Sequence, residues 1–225
     1  MNRPERIVNP INPFEVFNNS WAEGKISKPV IILIGGNIGT GKTTLADRLK
    51  QKLPAASVLT TAMIRSIQQT LISEAEKPEL FQHTYNLYNL GSPGKSLSER
   101  SIEGYRKQSS TVDVGVRKLV SFFQSEGQLS IIEGNHIDPQ TASELAYEKN
   151  IISLFLECRD LELYRASIKG PTHKRELNPE QLFVIRAIHD YIVQQAKRYN
   201  QPIFDINKLD SAIAYIENRL LAILK

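Results

Sequence analysis

The stretch that decides the fold is residues 30–51, which read Val-Ile-Ile-Leu-Ile-Gly-Gly-Asn-Ile-Gly-Thr-Gly-Lys-Thr-Thr-Leu-Ala-Asp-Arg-Leu-Lys-Gln. An apolar run opens it and predicts a buried strand, and helical spacing closes it. Four positions between the two match the pattern G-x-x-x-x-G-K-[ST]: Gly36, Gly41, Lys42 and Thr43. Because both the strand and the helix that this pattern requires are present, the sequence predicts a phosphate-binding loop.

The chemistry of such a loop follows from its residue types. Glycines allow left-handed turns that direct successive backbone N–H groups at one anion, and the helix N-terminus adds partial positive charge. We expect Lys42 to reach the β- and γ-phosphates of ATP and the Thr43 hydroxyl to bind Mg²⁺. The predicted nucleotide-binding residues are Gly36, Asn37, Gly39, Thr40, Gly41, Lys42, Thr43 and Thr44. A glycine-rich turn that binds nothing is the alternative, and the flanking elements argue against it.

The rest of the chain repeats the alternation of strand and helix. Five β-rich runs separated by segments with helical spacing predict a parallel sheet with crossover helices, at residues 30–34, 57–60, 129–133, 151–156 and 203–206. We expect residues 1–28 to form an N-terminal arm and residues 29–225 a single α/β domain. A hydrophobic content of 41% is enough for one continuous core.

Composition narrows the class of protein. Cys158 is the only cysteine and the chain starts without the pattern of a secretory signal, so we expect a cytoplasmic protein without disulfides. The longest apolar stretch is far below the roughly 20 residues that span a bilayer, so no membrane partner is expected. A net charge of +4 suits a small phosphorylated ligand as well as nucleic acid. Nucleic acid is not the expected partner, because no long basic stripe alternates with aromatic residues.

A carboxylate and a histidine follow the third predicted strand. Glu133 ends the apolar run that starts at Leu129, and in a parallel sheet it would emerge at the carboxyl edge beside the phosphate loop. We predict that Glu133, with Thr43, holds Mg²⁺ or its water; a solvent-exposed glutamate at a strand end is the alternative. His136 either contacts a substrate phosphate or caps the following turn.

Basic residues cluster after the fourth predicted strand. Gly170 and Pro171 would interrupt any helix across residues 169–177. This segment therefore predicts a lid that closes over the phosphates and excludes water. A solvated basic surface is the alternative. The residues predicted to carry phosphoryl transfer are Lys42, Glu133, Arg165 and Lys169.

Two further residues lie on a predicted helix that starts at Asn178. Arg186 sits among apolar residues, where a charge is costly unless it is paired. It therefore contacts substrate or phosphate, or forms a structural ion pair. His189, one turn on, is expected to be an ordinary surface residue.

From about Val30 to about Ala196 the chain resembles archaeal and bacterial 2-phosphoglycerate kinases and their P-loop relatives. The more specific parts of the resemblance are Glu-Gly-x-His-x-x-Pro at 133–139 and x-Ile-Arg-x-Ile-x-x-Tyr at 184–191. Shorter matches are Thr60-Thr61 with Ile64-Arg65, His83-Thr84-Tyr85, and Gly104-Tyr105 with Gln108.

The resemblance implies a P-loop kinase fold, a five-stranded parallel sheet flanked by helices with a helical substrate and lid region. It also implies ATP as donor and a hydroxyl of a small phosphorylated acid, best 2-phosphoglycerate, as acceptor. The acceptor-binding residues that it suggests are Thr61, Arg65, His83, Tyr85, His136 and Arg186. Other functions stay open: a kinase for a nucleoside, nucleotide or sugar, or a nucleotide-binding regulatory protein that has lost transfer.

One departure from the family pattern concerns the acceptor side. Where the family has an aspartate before the Ile-Arg pair, this chain has Ala62, so the carboxylate expected near the acceptor hydroxyl is missing. Loss of a base slows phosphoryl transfer without necessarily abolishing it. Another carboxylate, such as Glu103 or Asp113, is a possible substitute.

Overall fold

The computed structural model describes residues 12–169 and 176–225. Its strands are β1 (Ile31–Gly35), β2 (Ser57–Thr60), β3 (Ser130–Gly134), β4 (Ile151–Glu157) and β5 (Ile203–Asp205). Its α-helices are α1 (Pro13–Ala22), α2 (Lys42–Lys52), α3 (Thr61–Leu71), α4 (Pro78–Phe81), α5 (Leu97–Ser125), α6 (Pro139–Leu145), α7 (Leu161–Lys169), α8 (Pro179–Arg198) and α9 (Leu209–Ile223). Two 3₁₀ helices cover Thr84–Leu90 and Ile206–Lys208.

The five strands form one parallel sheet in the order β2-β3-β1-β4-β5. This confirms the predicted α/β architecture. β1 lies in the centre and is buried on both faces, as its unbroken apolar run requires. Ile32 and Ile34 face a core shared with α1, α2 and α9, whereas Ile31 and Leu33 face a core shared with α5 and α8. The loops after β1, β2, β3 and β4 therefore meet at the carboxyl edge of the sheet.

Helix α1 lies within the predicted N-terminal arm, yet it contributes to the core. Asn12 caps it by accepting a hydrogen bond from the Phe14 N–H, and Pro13 occupies its first turn. Phe14 and Phe17 are buried in the same core as α2 and α9. Residues 13–22 are thus packed as part of the domain, and a boundary at residue 28 stays a prediction.

Helix α5 is the longest of the described helices. A capping box of Ser96 and Glu99 starts it, and Val112, Val116 and Phe123 are buried along one face, as their spacing predicts. The segment before α5 folds into α4 and the first 3₁₀ helix, which packs so closely that a side chain at Gly104 would collide with the Leu87 carbonyl.

The last two helices begin in different ways. A capping box of Asn178 and Gln181 begins α8, where the sequence predicts a helix start. At the start of α9, Lys208 is the N-cap and Asp210 lies in the first turn, where its charge complements the helix dipole. Among the helices described, none has the length and apolar character needed to cross a membrane.

Candidate active site

The loop after β1 forms a narrow turn around the Asn37 carbonyl. Gly39 and Gly41 have φ of 77° and 84°, a left-handed conformation that glycine adopts without strain. The Lys42 ammonium donates to the Asn37 carbonyl oxygen at 2.7 Å, and the Thr40 hydroxyl donates to the same oxygen at 2.8 Å. Lys42 is only 9% exposed, so its charge is held inside the loop at the start of α2. A loop of this shape, with a buried cation at the start of a helix, is suited to bind the phosphate groups of a nucleotide.

Glu133 reaches the phosphate loop from the neighbouring strand. It lies opposite Ile34 in the parallel register of β1 and β3, at the carboxyl edge. The Thr43 hydroxyl donates to its Oε1 at 2.9 Å, and Glu133 is 5% exposed. The alternative of a solvent-exposed glutamate therefore does not fit. A hydroxyl and a carboxylate beside a phosphate loop are oxygen ligands of the type that Mg²⁺ prefers, so these residues fit the ion that nucleotide binding implies.

His136 is buried behind this edge, and both of its ring nitrogens have protein partners. The Thr61 hydroxyl lies 2.9 Å from Nδ1, and Gln108 Oε1 lies 2.9 Å from Nε2. Burial lowers the pKa of His136 to about 3, helped by the positive charges of Arg65 and Lys42. A neutral, enclosed imidazole supports the wall of the site. Capping of the next helix falls to Asp138, which accepts from the Gln140 and Thr141 N–H groups.

Arg65 carries a partly buried positive charge with little compensation. Its Nη1 donates to the Gln82 carbonyl oxygen at 2.6 Å, while its Nε is buried without a partner. Among the described residues no carboxylate forms an ion pair with it. Burial lowers the pKa of Arg65, which reflects the cost of an unpaired buried charge. Such a guanidinium is a candidate for binding an anionic ligand.

The other predicted acceptor residues lie around Arg65. Thr61 is fully buried, and its hydroxyl is committed to His136. The His83 ring stacks on the Tyr85 ring at 5.1 Å with an interplanar angle of 11°. The Tyr85 phenol lies within electrostatic reach of Arg65. Arg65, His83 and Tyr85 are therefore close together, as the resemblance suggests.

The basic residues predicted to act in transfer near the lid, Arg165 and Lys169, both lie on α7. Arg165 is 61% exposed and pairs with Glu162 on its own helix at 2.9 Å. Lys169 is exposed at the end of α7, and residues 170–175 lie outside the described part of the chain. The structure thus places Arg165 on a solvated face. The roles of Arg165 and Lys169 in transfer, and the lid at 169–177, stay predictions.

Of the two predictions for Arg186, a ligand contact or a structural ion pair, the structure shows the ion pair. Its Nη2 lies 2.9 Å from Asp190 Oδ1, and its Nη1 donates to the Cys158 carbonyl oxygen at 3.1 Å. The guanidinium also lies 5.6 Å from the centre of the Tyr164 ring. That ring packs on the phosphate loop, 3.4 Å from where a Cβ at Gly39 would lie. Arg186 thereby helps to hold α7 against the loop.

The expectation for His189 is wrong, because it is buried rather than a surface residue. It shares the inner face of α8 with Ile185, Ile188 and Ile192. Its Nε2 accepts a hydrogen bond from the Cys158 N–H at 3.1 Å, and burial lowers its pKa. Counting helical positions from the apolar residues of α8 places His189 on this face.

Comparison with known proteins adds to this geometry. No family model matches the chain. It is 26% identical to the 2-phosphoglycerate kinase of Methanopyrus kandleri, over 88% of this chain and 63% of the relative. It is 28% identical to that of Methanocaldococcus jannaschii, over 83% of this chain and 61% of the relative. The resemblance to 2-phosphoglycerate kinases is confirmed. The chain spans less than two thirds of the length of these relatives.

A solved structure supports the fold independently. Shikimate kinase from Acinetobacter baumannii, in complex with shikimate, aligns with a TM-score of 0.50, over 87% of this chain and 96% of that chain. The sequences are 14% identical, so this likeness concerns the fold alone. The fold is that of the P-loop kinases, as the resemblance implies.

Neither Glu103 nor Asp113 replaces the carboxylate that the 2-phosphoglycerate kinase pattern has at the position of Ala62. Glu103 accepts hydrogen bonds from Ser92, which lower its pKa to about 2. Asp113 pairs with Arg117 at 2.8 Å. Both carboxylates line a cavity of about 830 Å³ between α5 and α8, and none of its lining residues belongs to the phosphate loop. The suggestion that either replaces the missing carboxylate is therefore corrected.

Proposed function

We propose that this chain is an ATP- and Mg²⁺-dependent phosphotransferase, which transfers the γ-phosphate to a hydroxyl of a small anionic metabolite. The best single candidate for that metabolite is 2-phosphoglycerate. The observation that carries the proposal is the contact between Thr43 and Glu133, which joins an acidic strand end to the phosphate loop beside the buried Lys42. Phosphoryl transfer depends mainly on such positioning and charge stabilisation, with little covalent chemistry for the protein to perform.

On the donor side, the loop N–H groups and Lys42 bind the phosphates of ATP. Lys42 is oriented by the Asn37 carbonyl, so its charge is in place before the nucleotide arrives. Thr43 and Glu133 would hold Mg²⁺ or its water, and the ion would supply charge neutralisation at the phosphates.

On the acceptor side, Arg65 binds an anionic group of the metabolite. Its guanidinium has no carboxylate partner in the described part of the chain, so an acceptor carboxylate or phosphate would supply the missing charge. Arg65 and Lys42 both act electrostatically on His136, which supports their lying on one side of the fold. The names of the relatives favour 2-phosphoglycerate, which carries two anionic groups and one hydroxyl.

The test is a transfer assay against a panel of hydroxy acids, nucleosides and sugars. We expect ADP to form in the presence of Mg²⁺, and to form fastest with 2-phosphoglycerate. The Lys42→Ala variant is the control for contaminating kinases. Faster turnover of a nucleoside, nucleotide or sugar would contradict the proposed acceptor, and would favour a different kinase on the same fold.

A second candidate is a nucleotide-binding regulatory protein that has lost transfer. The observation that favours it is Ala62, combined with the orientation of Glu103 and Asp113 toward a separate cavity. Tight binding of Mg-ATP with no turnover of any acceptor on the panel would support this candidate over the kinase.

A further inference from the structure

One fully buried side-chain amide connects the residues near Arg65 to the loop after the strand that carries Glu133. Gln108 lies in the middle of α5 and is not exposed. Its Nε2 donates to the carbonyl oxygens of Glu79 at 2.5 Å and Gln82 at 2.8 Å. Its Oε1 lies 2.9 Å from Nε2 of His136. The amide therefore joins α5, the segment between α3 and the first 3₁₀ helix, and the loop after β3.

The donors and acceptors of this network allow a single arrangement. Since the Gln108 Nε2 group donates to two carbonyls, its Oε1 must be the atom that accepts from His136. His136 then carries its proton on Nε2, and its Nδ1 accepts from the Thr61 hydroxyl. With a neutral imidazole, every donor of this network has an acceptor.

The same network ends at Arg65. The Gln82 carbonyl oxygen accepts from Gln108 and also from Arg65 Nη1, at 2.6 Å. Because the Arg65 guanidinium has no carboxylate partner among the described residues, this carbonyl is its main fixed contact. His83 and Tyr85 follow directly in sequence, so their placement depends on the same segment.

We propose that Gln108 is a positioning residue of the acceptor site, which holds the Gln82 carbonyl and thereby aims the Arg65 guanidinium at the anionic group of the acceptor. The expected effect on acceptor binding rests on the proposed function, whereas the placement of Arg65 by Gln108 does not. Gln108 does not touch the acceptor. Its loss leaves Arg65 as the remaining hydrogen-bond donor to the Gln82 carbonyl, so the carbonyl is no longer fixed from α5. A displacement of about 1 Å in a binding group is enough to weaken substrate alignment strongly.

The kinetic test compares Gln108→Met with Gln68→Met. Gln68 is a matched control, because its Nε2 also donates to a carbonyl, that of Thr111 at 2.9 Å, and also joins α3 to α5. In the described part of the chain, no hydrogen bond joins it to residues 79–82 or to His136. We expect Gln108→Met to raise the KM for 2-phosphoglycerate by about tenfold, the size of one lost hydrogen bond to a charged group. The KM for Mg-ATP should stay within about twofold in both variants, as expected for an effect confined to acceptor binding.

A Gln108→Glu variant separates the two ends of the network. While it is ionised, its carboxylate still accepts from His136 but cannot donate to the Gln82 carbonyl, so the KM is measured at the highest pH at which the folded protein is stable. If the Gln82 end positions Arg65, this variant shows the same rise in acceptor KM as Gln108→Met. A normal KM in Gln108→Glu would overturn the proposal. If the buried carboxylate prevents folding, the comparison of Gln108→Met with Gln68→Met decides alone.

A readout without turnover separates failure of this inference from failure of the proposed function. In nitrogen-15 NMR, the Arg65 Nε–H resonance is assigned by its loss in Arg65→Lys, and we expect it to exchange slowly because that atom is buried. It should shift or broaden in Gln108→Met and stay unchanged in Gln68→Met. An unchanged resonance in Gln108→Met would overturn the inference. Absence of acceptor turnover in the parent protein, with the expected NMR change, would refute only the proposed function.

Discussion

Lowering the pH should destabilise the protein through His136 in a way that a single substitution removes. The imidazole is 2% exposed, and burial lowers its pKa from 6.5 to about 3. At pH values between these two, the unfolded chain binds a proton that the folded protein does not bind. The stabilisation that this neutral histidine contributes is therefore complete above pH 6.5 and is lost as the pH falls toward 3.

The size of the effect follows from the same two pKa values. Each pH unit below 6.5 costs about 1.4 kcal/mol of unfolding free energy, which gives about 2 kcal/mol at about pH 5. At that pH the loss depends on the pKa of the unfolded chain. A folded-state pKa anywhere below about 4 gives nearly the same value.

The assay is denaturant unfolding of the parent protein and of His136→Gln, near neutral pH and at about pH 5. Glutamine can place an amide donor near the Nε2 position, and it does not titrate. His189 is also buried with a lowered pKa, but it is present in both proteins, so its effect cancels in the difference. We expect the parent to lose about 2 kcal/mol more than the variant on acidification. Equal losses would mean that His136 is charged or solvated in the folded protein, and would favour its interpretation as a phosphate contact.

Three further predictions concern the donor side, the acceptor side and the core. Lys42→Ala should weaken Mg-ATP binding at least about tenfold in calorimetry and abolish transfer; unchanged affinity would refute the phosphate-loop assignment. Ala62→Asp should raise the acceptor KM about tenfold without a gain in rate, because the new carboxylate lies three residues before Arg65 and pairs with it. A rate gain of about 10²-fold confined to 2-phosphoglycerate would instead show that the pocket lacks only a general base. Phe17→Ala should cost about 3–5 kcal/mol of unfolding free energy, since Phe17 is fully buried; a loss below about 1 kcal/mol would show α1 to be peripheral.

The sheet and the donor side could be predicted because their determinants are local. The phosphate loop is nine contiguous residues, 36–44, between a strand and a helix that each have a clear periodicity. Glu133 comes from a distant part of the chain, but the parallel order of the strands requires its strand end to meet the loop. The sequence and the predicted strand topology were together sufficient to predict that Glu133 lies beside Thr43.

The acceptor side could not be predicted in the same way, because its contacts join residues that no pattern connects. His136 bonds to Thr61, 75 positions away, and to Gln108, 28 positions away. No periodicity indicates that these three polar side chains are buried together, and Gln108 even stands between the polar residues Lys107 and Ser109. His189 was misjudged for a different reason: its spacing from the apolar residues of α8 indicates the buried face, but a polar residue on a helix was expected to face solvent.

This difference has a consequence for substrate choice. The donor residues are tied to the sheet edge, Lys42 through the Asn37 carbonyl and Thr43 through the Glu133 side chain, so a change there disturbs that edge. Ala62, by contrast, is exposed at the second position of α3, where exchange of aspartate for alanine removes no buried contact. Without an aspartate there, Arg65 keeps its full charge for a ligand, and Gln108 rather than an ion pair fixes its direction. Under the proposed function, the acceptor side would lack a nearby base and keep an anion-binding group, and we expect a tightly bound anionic acceptor that is phosphorylated slowly.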